Sequence, residues 1–598
     1  MSWPWVALLL VVLSVAMHAS LVVRLSTGVP ADLGDPLLNM WILWWNAQQI
    51  PFTDAYWNAP AFAPMPRALG LSETLLGLSW FTTPLQWLGA SPVTAYNLLY
   101  IAEPVLNGLS AYWLCLVLTA RRDAALIGAL AMAFAPYHAT QISHIQTEGL
   151  FFMPIALVAL HRYWTTGNWR WLILLTAATA LNALVCGYFL LFFSTFLGVA
   201  LLWYVLATRD VKKLVASLAS LAVAILAISP VIVMFRLVRL EHNLSRLPVE
   251  IERNSADVTS FALASHLLTV WPIHTEVHQP QLAAYPGLVI VLVILAGALV
   301  VARGRIKAVL LAESKWLLGL LAFATVTVIA GATNIPKPYK VISVGIYLGT
   351  IALLLSKRMR VLLQSGSMPA LYAIGLIVTA SLSFGPVGRA FGHRFWYKPP
   401  YQLLMGLPGF DAARVPALYA SIELMCLAVL AAFAMTRLWP DMTRRALTMT
   451  GVIGALIVID GWHAVPVVPI PAPPPATLTA DMVIELPAYG WVENVQAMYR
   501  GMAHGRPVVN GYSGYVPRPF ARLQQDLFKD CVKSIDRVRG GRSMDAVIWR
   551  TTGSAAAIDA QLRTVWPDAA REETPEAIIY RQPRSSASPD PQYLDRCK

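Results

Sequence analysis

Residues 189–207 read FLLFFSTFLGVALLWYVLA, a run without a charge that closes at Thr208-Arg209-Asp210 and then Lys212/Lys213. Crossing about 30 Å of hydrocarbon takes roughly 20 apolar residues in a helix, and lipid offers the backbone no other partner for its own N–H and C=O groups. This stretch therefore predicts a membrane span. Working outward, comparable runs recur at 5–23, 94–119, 124–140, 149–162, 171–187, 214–235, 286–302, 316–332, 341–356, 368–386, 416–436 and 446–462. The expected fold class is an all-α polytopic membrane protein of about 13 transmembrane helices. The runs at 124–140 and 149–162 are short for full crossings, which predicts tilted or broken helices around an external site.

Composition agrees with a bilayer as the main solvent. Hydrophobic residues make up 57% of the 598 and charged residues 13%, about half the charged share of a soluble domain. The net charge of +13 would suggest nucleic acid in a soluble chain. Here the cations fall between the apolar runs, so topology accounts for them and no nucleic-acid partner is expected. Clusters at Arg121/Arg122, Arg162 with Arg170, Arg209 with Lys212/Lys213, Arg303/Arg305/Lys307, Lys357/Arg358/Arg360 and Arg437 with Arg444/Arg445 mark cytoplasmic loops. Arg236, Arg239, Arg246 and Arg253 go against that pattern in the outer loop 236–285, where long loops escape the rule.

These signals give the membrane chain a cytoplasmic N-terminus. Met1–Trp5 has no basic residue and no small-residue cleavage site follows Val23, so 5–23 reads as a retained span and not a signal peptide. Residues 1–463 form the expected membrane domain, with a first outer loop at 25–92. A proline-rich stretch, 464–478, reads as a stiff linker. Residues 479–598 have ordinary polarity and read as a small extracytoplasmic α/β domain, with strand-like runs Met482–Leu486 and Ala546–Trp549. Cys115, Cys186 and Cys426 lie in apolar segments and read as packing residues. Cys531 and Cys597 fall on the oxidising side, and spacing does not decide whether they pair.

Four constellations fall on the outer face. The first loop holds Asp32-Leu33-Gly34-Asp35-Pro36, then Asn39, Trp44/Trp45 and Asn46. It reads either as a solvated turn or as a carboxylate fixed beside a lipid phosphate by an amphipathic Trp-rich stretch. The tip between the third and fourth runs carries His138, Gln141, His144 and Glu148 at spacings that share one helix face. Polar groups at that depth either pair across helices or line a site. Loop 236–285 holds Arg253 and Asp257, which suit a pair at the membrane surface, and His274-Thr-Glu276-Val-His278, which reads better as solvated loop than as metal ligands. Arg389, His393, Arg394, Lys398 and Arg414 supply cations for a lipid mono- or diphosphate or for anionic headgroups. No Walker loop, dinucleotide fingerprint or nucleophile elbow occurs in the expected setting, so an external reaction needs a membrane-borne activated donor.

Taken together, Gly34-Asp35-Pro36, His138 through Glu148, Arg253-Asn-Ser-Ala-Asp257, Tyr285-Pro286-Gly287, Pro408-Gly-Phe-Asp-Ala-Ala-Arg414-Val-Pro416 and His504 through Pro517 resemble bacterial GT-C-type membrane glycosyltransferases. The resemblance implies a catalytic acid in the first outer loop and inverting sugar transfer from a polyprenyl-phosphate donor to a cell-envelope glycan, glycolipid or protein. Asp35 would be the general base or a metal-assisted activator, with Arg253, Arg389 or Arg414 on the departing phosphate and His138, His144, Glu148 and Asp257 lining the substrate. Many such enzymes carry two adjacent acids here, whereas Leu33-Gly34 separates Asp32 from Asp35, so participation of a divalent metal stays open. A transporter or flippase of lipid-linked saccharide, and a non-catalytic scaffold for envelope assembly, are the alternatives.

Overall fold

The computed structural model describes residues 2–271, 282–303 and 338–584. The expected span 316–332, the His274/Glu276/His278 triplet, the basic pair Arg305/Lys307 and Cys597 lie outside the described residues.

The chain opens with helix α1 (Trp3–Met17), a short strand β1 (Gly28–Pro30), and two helices, α2 (Asp35–Gln48) and α3 (Leu76–Trp87). The first outer segment is thus folded against the bundle. Asn46 of α2 shows why: its amide donates to the Thr74 carbonyl at 2.8 Å and to Ser79 Oγ at 2.6 Å, and its oxygen accepts from the Tyr56 hydroxyl at 3.0 Å. A buried amide so fully paired locks α2 to α3.

The bundle continues with α4 (Pro92–Thr119), α5 (Arg122–Phe134), α6 (Phe152–Thr166), α7 (Arg170–Val185), α8 (Gly187–Thr208), α9 (Val211–Ala227) and α10 (Ser229–Glu241). After them come α11 (Leu288–Arg303), α12 (Pro338–Leu355), α13 (Met368–Ser383), the hairpin β2 (Val387–Ala390) and β3 (His393–Tyr397), then α14 (Ala420–Leu438) and α15 (Arg444–Asp460). Among the described residues, α4, α8 and Pro416–Leu438 are long and apolar enough to cross a membrane, and α9 with α10 form a fourth candidate across a 55° bend. Other apolar runs give shorter helices, α1, α7, α11, α13 and Ile342–Ile351 within α12. Length and composition therefore support fewer crossings than the expected count, because hydropathy registers apolar residues but not where a helix stops.

α14 is the hub. It packs against α4, α5, α8, α11 and α13, and 83% of its best apolar window is buried, against 44% for α4 and 50% for α8. A helix apolar all round belongs inside, while half-covered helices turn their remaining face to lipid. Small residues let the backbones close: a Cβ on Gly128 would sit 2.4 Å from Cys115 Sγ and 3.2 Å from the Ala428 carbonyl. Cys115, Cys186 and Cys426 are buried free thiols, as packing residues should be.

The proline-rich stretch does not hang free. Its strand β4 (Val467–Pro469) pairs antiparallel with β1, Gly28 opposite Pro469. Beyond it, β5 (Met482–Leu486), α16 (Trp491–His504), α17 (Arg518–Phe528), β6 (Met544–Trp549), α18 (Ala555–Val565), β7 (Ala570–Glu573) and β8 (Ala577–Gln582) build a four-stranded sheet in the order β5-β6-β8-β7. β5 runs parallel to β6, and the other pairs are antiparallel. At its heart Glu485 is ion-paired with Arg500 and accepts the Trp549 indole N–H at 2.7 Å. Residues 508–510 join this sheet to the first outer segment. Val509 donates to Val483 O at 2.8 Å on one side, while Ala63 donates to Val508 O at 2.9 Å and Phe62 to Asn510 O at 3.2 Å on the other.

Candidate active site

Asp32 sets the first turn. Its Oδ1 accepts the Gly34 N–H at 2.6 Å, and its Oδ2 accepts the Ser143 hydroxyl at 2.7 Å, which ties the turn to the tip between α5 and α6. Asn39 adds a second tie, donating to Gln146 Oε1 at 2.7 Å. Asp35 then begins α2, with Pro36 suited to a first helical turn. There the partial positive charge of the helix N-terminus favours a carboxylate. Asp35 stays about a quarter exposed, and two groups hold it: the Tyr512 hydroxyl donates to Oδ1 at 2.8 Å, and His144 Nε2 stands 3.3 Å from Oδ2.

Tyr512 comes from a tight segment after α16. Asn510 is fully buried, donating to Glu485 O and accepting from Glu485 N, both at 2.8 Å. Gly511 follows because any side chain there would collide with the Phe62 ring at 2.2 Å. The Tyr512 phenol is held well above its ordinary value, first by burial and then by the Asp35 charge beside it. It remains a hydrogen-bond donor across the physiological range.

Arg414 acts electrostatically on Tyr512, and both Arg414 and Arg246 act on Tyr188 at the start of α8. Arg246 is occupied: it pairs with Glu250 at 2.9 Å, donates to Gly514 O at 2.5 Å and lies over the Tyr515 ring at 3.9 Å. Arg414 has no ion pair among the described residues, and its buried Nε has no hydrogen-bond partner.

The tip between α5 and α6 departs from the expected helical stripe. Ala135 is extended (ψ 149°) ahead of Pro136, a 3₁₀ turn spans Pro136–Thr140, and only one α-turn, Ile145–Glu148, follows. The residue before a proline disfavours α geometry, so the helix ends there and the spacings of three and four lose their meaning. His138 turns inward, Nδ1 on Glu148 and Nε2 on the Met132 carbonyl at 2.9 Å, with both side chains buried. His144 turns outward to Asp35. Only His144 of this group joins the site.

Arg253, Asp257 and Arg389 also separate from Asp35. Arg253 is exposed at the end of a short helix and does not pair with Asp257. Asp257 instead accepts N–H groups from Thr259, Phe391 and Gly392 at 2.8–2.9 Å, capping a turn and the β2–β3 hairpin tip. Burial raises its carboxyl, and the N–H groups of Thr259 and Gly392 outweigh that and hold it below the usual range. Arg389 and Arg394 share Glu252 at 2.5 and 2.9 Å. These cations serve the hairpin.

Asp35 and His144 offer two ligands, and among the described residues no group of three or more His, Cys, Asp or Glu side chains converges to hold an ion. No step is drawn through one.

With this geometry in view, a family model described as "Domain of unknown function (DUF6311)" matches residues 78–385. The chain belongs to the DUF6311 family. No curated protein matches this DUF6311 member in sequence. Its fold is similar to that of arabinofuranosyltransferase AftD from Mycobacteria, at TM-score 0.54 and 12% identity over 98% of this chain. That likeness spans 40% of the AftD chain. Weaker similarities are to the archaeal oligosaccharyltransferase AglB from Archaeoglobus fulgidus (TM-score 0.43, 12% identity, 98% of this chain and 75% of that one) and to ArnT from Cupriavidus metallidurans (0.35, 13%, 95% and 97%). At 12% identity the likeness to AftD is one of fold alone.

Proposed function

We propose that this DUF6311 protein is a membrane glycosyltransferase that moves a sugar from a polyprenyl-phosphate donor to a cell-envelope acceptor on the extracytoplasmic face of the inner membrane, with inversion. One observation carries the reading: a carboxylate at a helix N-terminus, part exposed, each oxygen held by a residue from a distant segment, with Arg414, which has no ion pair among the described residues, acting electrostatically on the same Tyr512. Asp35 accepts the proton of the acceptor hydroxyl as the bond from the anomeric carbon to phosphate breaks. Each carboxylate oxygen keeps a second lone-pair site for that proton. Arg414 faces the phosphate as it leaves, where a planar guanidinium fork holds two oxygens at once. The GT-C-like fold supports the class of chemistry by analogy only. In this reading the apolar runs make about 13 crossings, with the segment after residue 479 outside the cell membrane.

The test compares envelope glycans and lipid-linked sugars in cells with and without the gene. Loss of one envelope sugar together with accumulation of its lipid-linked donor is expected, and restoration by the wild-type chain but not by Asp35→Asn. An unchanged envelope, or full restoration by Asp35→Asn, removes the assignment. A saccharide that crosses sealed vesicles without forming a glycosidic bond makes the chain a transporter instead.

A further inference from the structure

A groove of about 1110 Å³ lies away from Asp35, where the C-terminal half of α2 and residues 58–66 face the start of β5 and the turn at Gly540–Arg542. Its walls combine an aromatic face, apolar prolines and charged groups. Trp44, Gln49 and Arg542 line it and find no side-chain hydrogen-bond partner among the described residues. Their neighbours are spoken for: Trp45 donates to the Tyr56 carbonyl at 2.8 Å, and Asp481 is taken by Ser543 and Arg584, each at 2.7 Å. Three donors without protein acceptors therefore border one concavity. Its rim is kept low by Gly505, Gly540 and Gly541, all at positive φ, and a Cβ on Gly505 would meet nothing within 4 Å.

An acyl or isoprenoid chain does not suit a wall that holds Arg542, since lipid would take water from a guanidinium that has no protein acceptor among the described residues and would offer none in return. A sugar chain suits them. Its C–H faces lie on an indole, and its ring and hydroxyl oxygens accept from exactly the kind of donors left over here. Position supports the same occupant. Asp35 and Trp44 sit on the single rigid helix α2, nine residues apart, which is about 14 Å along its axis. A chain of a few sugars spans that distance.

We propose that this groove is an acceptor subsite that holds a neutral oligosaccharide while the chain's end reaches Asp35. This rests on the transferase reading for its purpose but not for its binding. The full-length protein in detergent is titrated with maltohexaose, mannohexaose and xylohexaose, followed by calorimetry, with an unstructured Gly/Ser-rich peptide of similar length as the contrast. At least one hexasaccharide binds saturably. Trp44→Ala and the surface change Arg542→Ala each weaken it at least tenfold, with thermal midpoints unchanged for Arg542→Ala. No hexasaccharide binding, equal binding by Arg542→Ala, or preference for the peptide overturns the proposal. Binding as expected in a protein that transfers nothing keeps the groove and sinks the transferase reading.

Discussion

His138 and His144 lie six residues apart on one tip and share a carboxylate-bearing neighbourhood, yet they serve opposite halves of the molecule. His138 is sealed against Glu148 inside the bundle. His144 reaches Asp35 at the part-exposed turn, where Tyr512 closes the other side. The inner pair is built from residues close in sequence, and the outer one from three segments far apart. The difference teaches that a local pair maintains structure on its own, whereas the exposed acid depends on the whole molecule being assembled.

That contrast is broken most severely by Asp35→Asn, which keeps the size and the oxygen facing Tyr512 but, on the proposed reading, removes the base and puts an amide NH2 in place of the second oxygen. Transfer of labelled sugar falls about 10²–10⁴-fold, while insertion and thermal midpoint stay as in wild type. A comparable loss of midpoint would move Asp35 to the structural side of the comparison. His138→Ala does the reverse. Leaving Glu148 buried and unpaired costs about 3–5 kcal/mol of stability, read as a lower unfolding midpoint in detergent, and His144→Ala does not share that drop.

Tyr512→Phe sharpens the outer half. It deletes one hydrogen bond to a charged group, about 1.5–3 kcal/mol, so transfer drops roughly ten- to a hundredfold with the inner pair untouched. Equal activity in the phenylalanine variant would show that the docked segment does not hold the acid. The smallest effect is on pH. His504, at the end of the helix before Tyr512, is lowered to about 4 by burial and then by Arg506. The folded state thus binds fewer protons than the unfolded one between the ordinary histidine value and that point. Its stabilisation is full above the ordinary value and is lost as pH falls towards 4. The midpoint should decline from pH 7.5 to pH 5, and His504→Gln should flatten the decline.

Part of this was readable from residues in order. The run at 189–207 becomes α8, Met482–Leu486 becomes β5, and Asp35 does begin a helix at a turn next to Pro36. The stripe of His138, Gln141, His144 and Glu148 has helical spacing, but the 3₁₀ turn Pro136–Thr140 and the non-helical residues 141–144 break it. Arg253 and Asp257 looked like a pair through proximity in sequence, but backbone N–H groups of a hairpin more than 130 residues away claim the carboxylate. Tyr512 carried no local signal of its role; its partner is 477 residues earlier.

By itself, then, the chain's order of residues determined the apolar runs that become most of the bundle helices and the runs that become β5 and β6, since both follow from transfer of short stretches out of water and from backbone rules that act over a few positions. Only the tertiary structure decided which polar groups meet. Pairing Asp35 with Tyr512 and His144 depends on segments distant in the chain packing onto one another, and no periodicity records that.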